Sequence, residues 1–142
     1  MLIGKYRHTI DEKGRISVPA KFREELGESV VVTESIDKKC LYIFSVSEYT
    51  EKFQKLSDIK FSDDDENRAA RYIGSLSAFC DVDKQGRIMI SPEQREHIGL
   101  DKDVIIIGVF SRAEMWDAAV WEKYNEVSGN TDMRQALKKT GL

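Results

Sequence analysis

The chain has 142 residues, with 22 Lys and Arg against 25 Asp and Glu and a formal net charge of −3. That length fits one compact domain or two very small ones, no stretch approaches the roughly 20 apolar residues of a membrane-spanning helix, and the mildly acidic balance argues against a general polyanion binder. The opening Met1-Leu2-Ile3-Gly4-Lys5 is too short and too soon polar for a signal peptide, so a cytoplasmic location is expected.

Tyr6, His8 and Ile10 alternate with Arg7 and Thr9, a period of two that predicts a strand with one buried side. Asp11 to Gly14 is the turn: an Asp side chain bonds the backbone ahead of it, and glycine supplies a positive φ. Arg15-Ile16-Ser17-Val18 predicts a second strand, with Ile16 and Val18 inward and Arg15 and Ser17 outward. Pro19 opens a short helix with Phe22 and Leu26 as its apolar edge, and Gly27 stops it. Val30 to Thr33 and Cys40 to Phe44 predict two more strands around the turn Asp37-Lys38-Lys39. Ser45 and Glu48 have capping-box spacing ahead of a helix that buries Tyr49, Phe53 and Leu56.

Ser62-Asp63-Asp64-Asp65-Glu66 then gives an acidic first turn, favoured by the helix dipole, to a connecting helix with Ala69, Tyr72, Ile73 and Leu76 on one side. Phe79 to Val82 leads into the Asp83 turn, and Arg87 to Ile90 into the strand after it. Ser91-Pro92-Glu93-Gln94 is a helix start with a Ser cap and Pro in the first turn. Val104 to Phe110 is an apolar strand, and Asp117 caps a helix whose inner face is Val120, Trp121, Tyr124 and Val127. The polar tail from Ser128 leaves open either a marginal helix over Met133 to Lys139 or no regular structure.

One stretch occurs twice. Asp11-Glu12-Lys13-Gly14-Arg15-Ile16 reappears 72 residues later as Asp83-Lys84-Gln85-Gly86-Arg87-Ile88. At the same shift Arg23-Glu24 meets Arg95-Glu96, Leu26 meets Ile98 and Gly27 meets Gly99. The chain therefore divides into repeat 1 over residues 1–56, an acidic linker and helix over 57–76, repeat 2 over 77–127 and a polar tail over 128–142. A unit of about 50 residues buries too little surface to be comfortable alone, so the copies are expected to share a core.

The order strand, Asp-x-x-Gly-Arg turn, strand, Pro, short helix, Gly, strand, strand resembles the SpoVT-AbrB type of DNA-binding domain. Two such units in tandem, with the Ser17-Val18-Pro19-Ala20-Lys21-Phe22-Arg23 continuation and a linking helix, resemble the MraZ family of bacterial transcriptional regulators over residues 1–127. The resemblance implies an α+β, mainly β fold: two tandem swapped-hairpin units forming a pseudo-dimeric β-barrel with short flanking helices. It also implies a homo-oligomer, a ring, that binds double-stranded DNA at direct repeats in the promoter of the division and cell-wall gene cluster, its own gene included. Repression is the expected sign, and nucleoid association the expected location. Carried over residue by residue, the DNA-contacting motif falls on Asp11, Lys13, Gly14 and Arg15, and in the second copy on Asp83, Gly86 and Arg87, where Gln85 stands in place of Lys13.

The residues themselves are compatible with that. Residues 1–27 carry six basic side chains (Lys5, Arg7, Lys13, Arg15, Lys21, Arg23) against four acidic ones, while residues 57–66 carry five acids against Lys60. A guanidinium held on a strand can bind a phosphate or guanine O6 and N7 in bidentate fashion. Arg15 is the leading DNA-binding candidate, with Lys13 and Gly14 in its turn, Arg7 on the preceding strand and Arg87 in the second copy. Asp11, Asp83 and Gly86 are read as structural turn residues, each Asp pairing with the Arg four residues on.

Other candidates carry less. His8 reads as a core histidine, His97 as a surface helix pair with Glu93 and Glu96, and the acidic cluster as a solvated helix start. Cys40 and Cys80 lack CxxC spacing and read as buried thiols. No catalytic constellation, metal site, cofactor fingerprint or small-molecule substrate is expected, and hence no enzyme. The alternative function is an antitoxin or another β-barrel interaction module without a DNA role; antitoxins of this type usually carry one domain and a disordered partner-binding tail, whereas this chain has two units and only residues 128–142 as a tail.

Overall fold

The computed structural model describes residues 1–128 and 132–142, with side chains at all of these except 127 and 128. The side chain of Val127, expected on an inner helix face, and residues 129–131 of the polar tail lie outside what the structure describes. Repeat 1 forms β1 (Lys5–Thr9), β2 (Arg15–Ser17), α1 (Ala20–Leu26), β3 (Ser29–Glu34) and β4 (Leu41–Ser45). Two helices follow, α2 (Val46–Ser57) and α3 (Asp64–Ser75). Repeat 2 forms β5 (Ser77–Asp81), β6 (Arg87–Met89), α4 (Pro92–Ile98), β7 (Asp103–Val109) and β8 (Arg112–Asp117), and then come α5 (Ala118–Ser128) and α6 (Met133–Lys138). The start signals in the sequence make the expected bonds. Ser45 Oγ accepts from Glu48 N–H at 3.2 Å, Asp63 Oδ1 from Glu66 N–H at 3.0 Å and Ser91 Oγ from Gln94 N–H at 3.1 Å. Each such cap contributes about 1 kcal/mol.

Six strands form one antiparallel sheet in the order β1-β7-β8-β4-β3-β5, and β2 and β6 form a separate two-stranded ribbon. The pairings that build this arrangement cross between repeats. Tyr6 of β1 faces Ile106 of β7, Ala78 of β5 faces Val32 of β3, Tyr42 of β4 faces Glu114 of β8 and Ile16 of β2 faces Ile88 of β6. Among the described residues the expected closed barrel is not formed: the larger sheet ends on β1 and β5, and no strand ladder joins the ribbon to either edge. The turns at 11–14 and 83–86 are the cause. Each sends the strand after it across the face of the sheet, where β2 and β6 pair with one another.

The sheet has apolar side chains on both faces. Towards the ribbon, Ile16, Val18, Phe22, Leu26, Val30 and Val32 of repeat 1 pack with Ile88, Ile90, Ile98, Val104 and Ile106 of repeat 2 in one buried cluster. Neither repeat has that core alone, as expected for units this small. Phe22, only 1% exposed, is of the kind whose truncation to Ala costs about 3–5 kcal/mol. On the opposite face α5 sets Trp121 against Trp116 at a ring separation of 5.2 Å. There α2 also sets Tyr49 and Phe53 against Phe44 at 6.0 and 5.8 Å.

Two residues and one helix lie otherwise than their spacing predicts. His97 does not pair with Glu93 or Glu96: its Nδ1 lies 2.8 Å from Glu34 Oε1 on β3, because α4 packs over the end of that strand. The connecting helix α3 forms, yet it fully buries none of its side chains, and Ala69 and Tyr72 are exposed. Tyr124 is 40% exposed despite its inner-face spacing. His8 is half-buried on the core side of β1, and that burial lowers its pKa. Among the described residues no helix is long and apolar enough to cross a membrane.

Candidate nucleic-acid interface

The two repeated turns have the same geometry. In the first, Asp11 Oδ1 accepts the backbone N–H groups of Lys13 and Arg15, both at 2.9 Å, and Oδ2 accepts Arg15 Nε at 2.7 Å. In the second, Asp83 Oδ1 accepts from Gln85 and Arg87, both at 2.9 Å, and Oδ2 accepts Arg87 Nε at 3.1 Å. The Arg15 backbone N–H is the main cause holding the Asp11 carboxyl below the usual carboxylate range; the Arg15 guanidinium and the Lys13 N–H add to it against partial desolvation. Arg87 does the same for Asp83. Each Asp therefore fixes its turn and orients its arginine. The bond uses Nε, one of five guanidinium N–H donors, so it positions the group without exhausting it.

Both glycines are held in the left-handed region, Gly14 at φ 84° and Gly86 at φ 77°. Their carbonyls reach across to the other repeat: Ile90 N–H donates to Gly14 O at 2.8 Å, and Val18 N–H donates to Gly86 O at 2.9 Å. A side chain at either glycine would also strike its neighbour. A Cβ on Gly14 would lie 2.6 Å from Ile90 O and 3.1 Å from Arg95 Cζ, and one on Gly86 would lie 2.1 Å from Arg23 Nη1.

The ribbon brings the two arginines together. Ile16 faces Ile88 with both buried, Arg15 faces Met89, and Arg87 faces Ser17. Alternation then sets Arg15 and Arg87 diagonally on one outer face, with side chains 33% and 29% exposed. Lys13 is exposed in the same turn as Arg15. Arg7 is not brought to this face. It stands opposite Ile105, whose side chain packs with Trp116 on the α5 side of the sheet, and its guanidinium meets Glu122 of α5 at 3.3 Å.

Two arginines that lie against these turns were not among the site candidates read from the sequence. Arg95 of α4 lies against the Gly14 turn, and Arg23 of α1 lies against the Gly86 turn. Each arginine-bearing turn is thus flanked by a helix arginine from the other repeat. The coincidence of Arg23 and Arg95 at the 72-residue shift was the available signal. Charge separates the two ends. Around the first turn and its cleft stand Lys13, Arg15, Arg95 and Lys102 against Asp11, Glu12 and Asp101. Around the second stand Arg23, Lys84 and Arg87 against Glu24, Glu28, Asp81 and Asp83. The first end is locally basic and the second locally acidic.

Burial raises the pKa of both cysteines, that of Cys40 to about 12 with Glu114 adding to the effect, so both remain thiols near neutral pH. Among the described residues no group of three or more His, Cys, Asp or Glu is placed to hold a metal ion.

Fold and site together define a two-repeat protein of mixed α and β structure, built around a shared ribbon with an arginine-bearing turn at each end. The chain belongs to the MraZ family: the family described as "MraZ protein, putative antitoxin-like" matches residues 1–72 and 77–140. It is 46% identical over 133 residues to a transcriptional regulator MraZ of Thermoanaerobacter sp. (strain X514), covering 94% of this chain and 90% of that one. It is 46% identical over 126 residues to the protein of that name from Caldanaerobacter subterraneus subsp. tengcongensis, covering 89% and 87%. With the one from Acetivibrio thermocellus it shares 44% over 133 residues, covering 94% and 90%.

Proposed function

We infer that this chain is a sequence-specific, DNA-binding transcriptional regulator that reads double-stranded DNA through the outer face of the β2–β6 ribbon. The observation that carries this reading is the pair of matched turns, each aiming an Asp-oriented arginine at one surface. The names of the relatives support the regulatory role. The cross-repeat pairing of β1 with β7 and of β5 with β3 supports a tandem swapped-hairpin arrangement of the repeats 1–56 and 77–127. On this reading Arg15, Lys13 and the Gly14 turn make the principal contacts, Arg95 adds a cation beside them, and Arg87 makes the weaker set. Arg7, engaged with Glu122, stands outside it.

One ribbon offers few contacts. A ring of copies offers several Arg15 faces to successive direct repeats, and avidity supplies the affinity. Occupancy of the promoter of the division and cell-wall cluster, its own gene included, blocks polymerase, so the regulator is a repressor acting in the cytoplasm at the nucleoid. Binding of labelled promoter repeats, compared with scrambled DNA over a salt series, tests this. Specific binding that weakens steeply with salt is expected, Arg15→Ala should abolish it with the oligomer intact by sizing, and Arg87→Ala should weaken it less. Unaltered binding by Arg15→Ala would overturn the site. Absence of any specific binding would favour an interaction module of the antitoxin kind, the word that the family description carries.

A further inference from the structure

We propose that Glu34 and His97 decide which repeat pairs with which, favouring the union of repeat 1 with repeat 2 and opposing the union of repeat 1 with repeat 1 of a second chain. The need for such a choice follows from the duplication. Each cross-repeat pairing has its counterpart in the other half, and several apolar core positions have an apolar counterpart: Ile16 with Ile88, Val18 with Ile90, Leu26 with Ile98, Val30 with Val104. Hydrophobic burial is non-directional, so at these positions it separates a like pair from an unlike one less sharply than a buried charge does.

Three of the polar differences between the halves meet where a helix of one packs on a strand of the other. The helices α1 and α4 correspond at the 72-residue shift, so Gln94 stands where the other half has Phe22, and His97 where it has Glu25. In the strands, Ala78 faces Val32 while Tyr6, its counterpart, faces Ile106. Val32 therefore corresponds to Ile106, and Glu34, two residues on, to Gly108. Gly108 has no room for a side chain, since a Cβ there would lie 2.5 Å from Ile3 N.

The unlike pair satisfies these groups. Glu34 is buried, with 2% of its side chain exposed, and its Oε1 accepts from His97 Nδ1 at 2.8 Å. Gln94 Nε2 donates to Val32 O at 3.1 Å and to Leu76 O at 3.3 Å. Glu25, on the other helix, meets the Met1 ammonium. In a union of two copies of repeat 1, α1 of the second chain would take the place of α4. Glu25 would then stand at His97's position against buried Glu34, and Phe22 would replace the amide that satisfies Val32 O. A buried carboxylate that loses its donor and gains a like charge is strongly destabilised. In a union of two copies of repeat 2, His97 would meet Gly108 and find no carboxylate. This selection is independent of DNA binding, since neither residue lies on the outer face of the ribbon.

Cross-linking in the full chain tests it, in a Cys80→Ser background and with a short bifunctional thiol reagent after refolding. Ser17→Cys with Arg87→Cys places thiols on opposed residues of β2 and β6 and reports the unlike pair as a link within one chain. Arg15→Cys with Ser17→Cys reports a like pair as a covalent dimer, because a ribbon of two β2 strands centred on Ile16 sets residue 15 opposite residue 17 of the other chain. Exchanging the helix charges, Glu25→His with His97→Glu, moves the clash from the like pair to the unlike one. The link within the chain should then fall about tenfold or more and covalent dimers should appear. A folded exchange variant with the link undiminished would overturn the proposal. If that variant does not fold, adding Glu34→Gln removes the buried charge and should restore both folding and the link; failure to restore them would also overturn it.

Discussion

Asp11 and Asp83 do for their arginines what the flanking strands alone could not. A free arginine side chain samples many rotamers, and here one carboxylate holds both the turn backbone and Nε. The spacing of four residues was enough to expect this pairing. The reverse side of Arg7 was not legible, because strand alternation gives two faces without saying which of them carries a helix. The acid response follows from the lowered carboxyl pKa values. A lowered folded value means that the stabilisation is fully present above the unfolded value, about 3.9, and is lost as pH falls through the folded value. Thermal unfolding followed through that acid window should show Asp11→Asn and Asp83→Asn losing less stability on acidification than the parent chain. An equal loss in all three would mean that the turns contribute nothing to the pH response.

Among the elements, the two turns are alike in backbone and unlike in what presses on them. Gly14 is closed off by the Ile90 carbonyl, a rigid backbone atom, whereas Gly86 is covered by the far end of the Arg23 side chain. Replacement by Ala strains both at positive φ, by about 1–2 kcal/mol. At Gly86 the arginine can swing away; at Gly14 the backbone of the other repeat must move. Gly14→Ala is expected to cost roughly 3 kcal/mol or more and Gly86→Ala about 1–2 kcal/mol in chemical denaturation, and equal losses would refute the distinction. The helices α1 and α4 likewise share length and position but differ in attachment. Phe22 makes apolar contacts and, among the described residues, Glu25 of α1 meets only the chain terminus, while α4 is tied to β3 and to the end of α3 by Gln94 and His97. The first turn, with Arg95 upon it, is thereby backed by the more directional anchor.

For the molecule as a whole, the sharing of one core between repeats means that neither half can fold its ribbon strand without the other. The Arg15 and Arg87 ends are then fixed relative to each other by two buried isoleucines. One such ribbon is a small contact, and the proposed ring multiplies it. DNA with a single promoter repeat should therefore bind roughly 100-fold more weakly than DNA with several at matched salt, as read by a titration with labelled duplexes. Similar affinities would leave assembly without a part in recognition.

By itself the sequence determined the duplication, the strand and helix order, the helix caps and the turn chemistry, because each of these depends on residues a few positions apart. The positive φ of Gly14 and Gly86, the Asp–Arg pairs and the outward alternation of Arg15 all follow from local stereochemistry. Tertiary structure alone decided which strands meet. An open six-stranded sheet with a separate ribbon stands where a closed barrel was expected, since closure depends on how sharply two turns bend the chain. It alone carried Arg7 to the far face, laid Arg95 and Arg23 across the partner repeat's turns, and joined His97 to Glu34 across 63 positions. Contacts of that length leave no helical or strand period in a sequence; the 72-residue repeat marks Arg23 and Arg95 as equivalent without saying what they touch. Those contacts are fixed by the shared core, which forms only when both repeats are present.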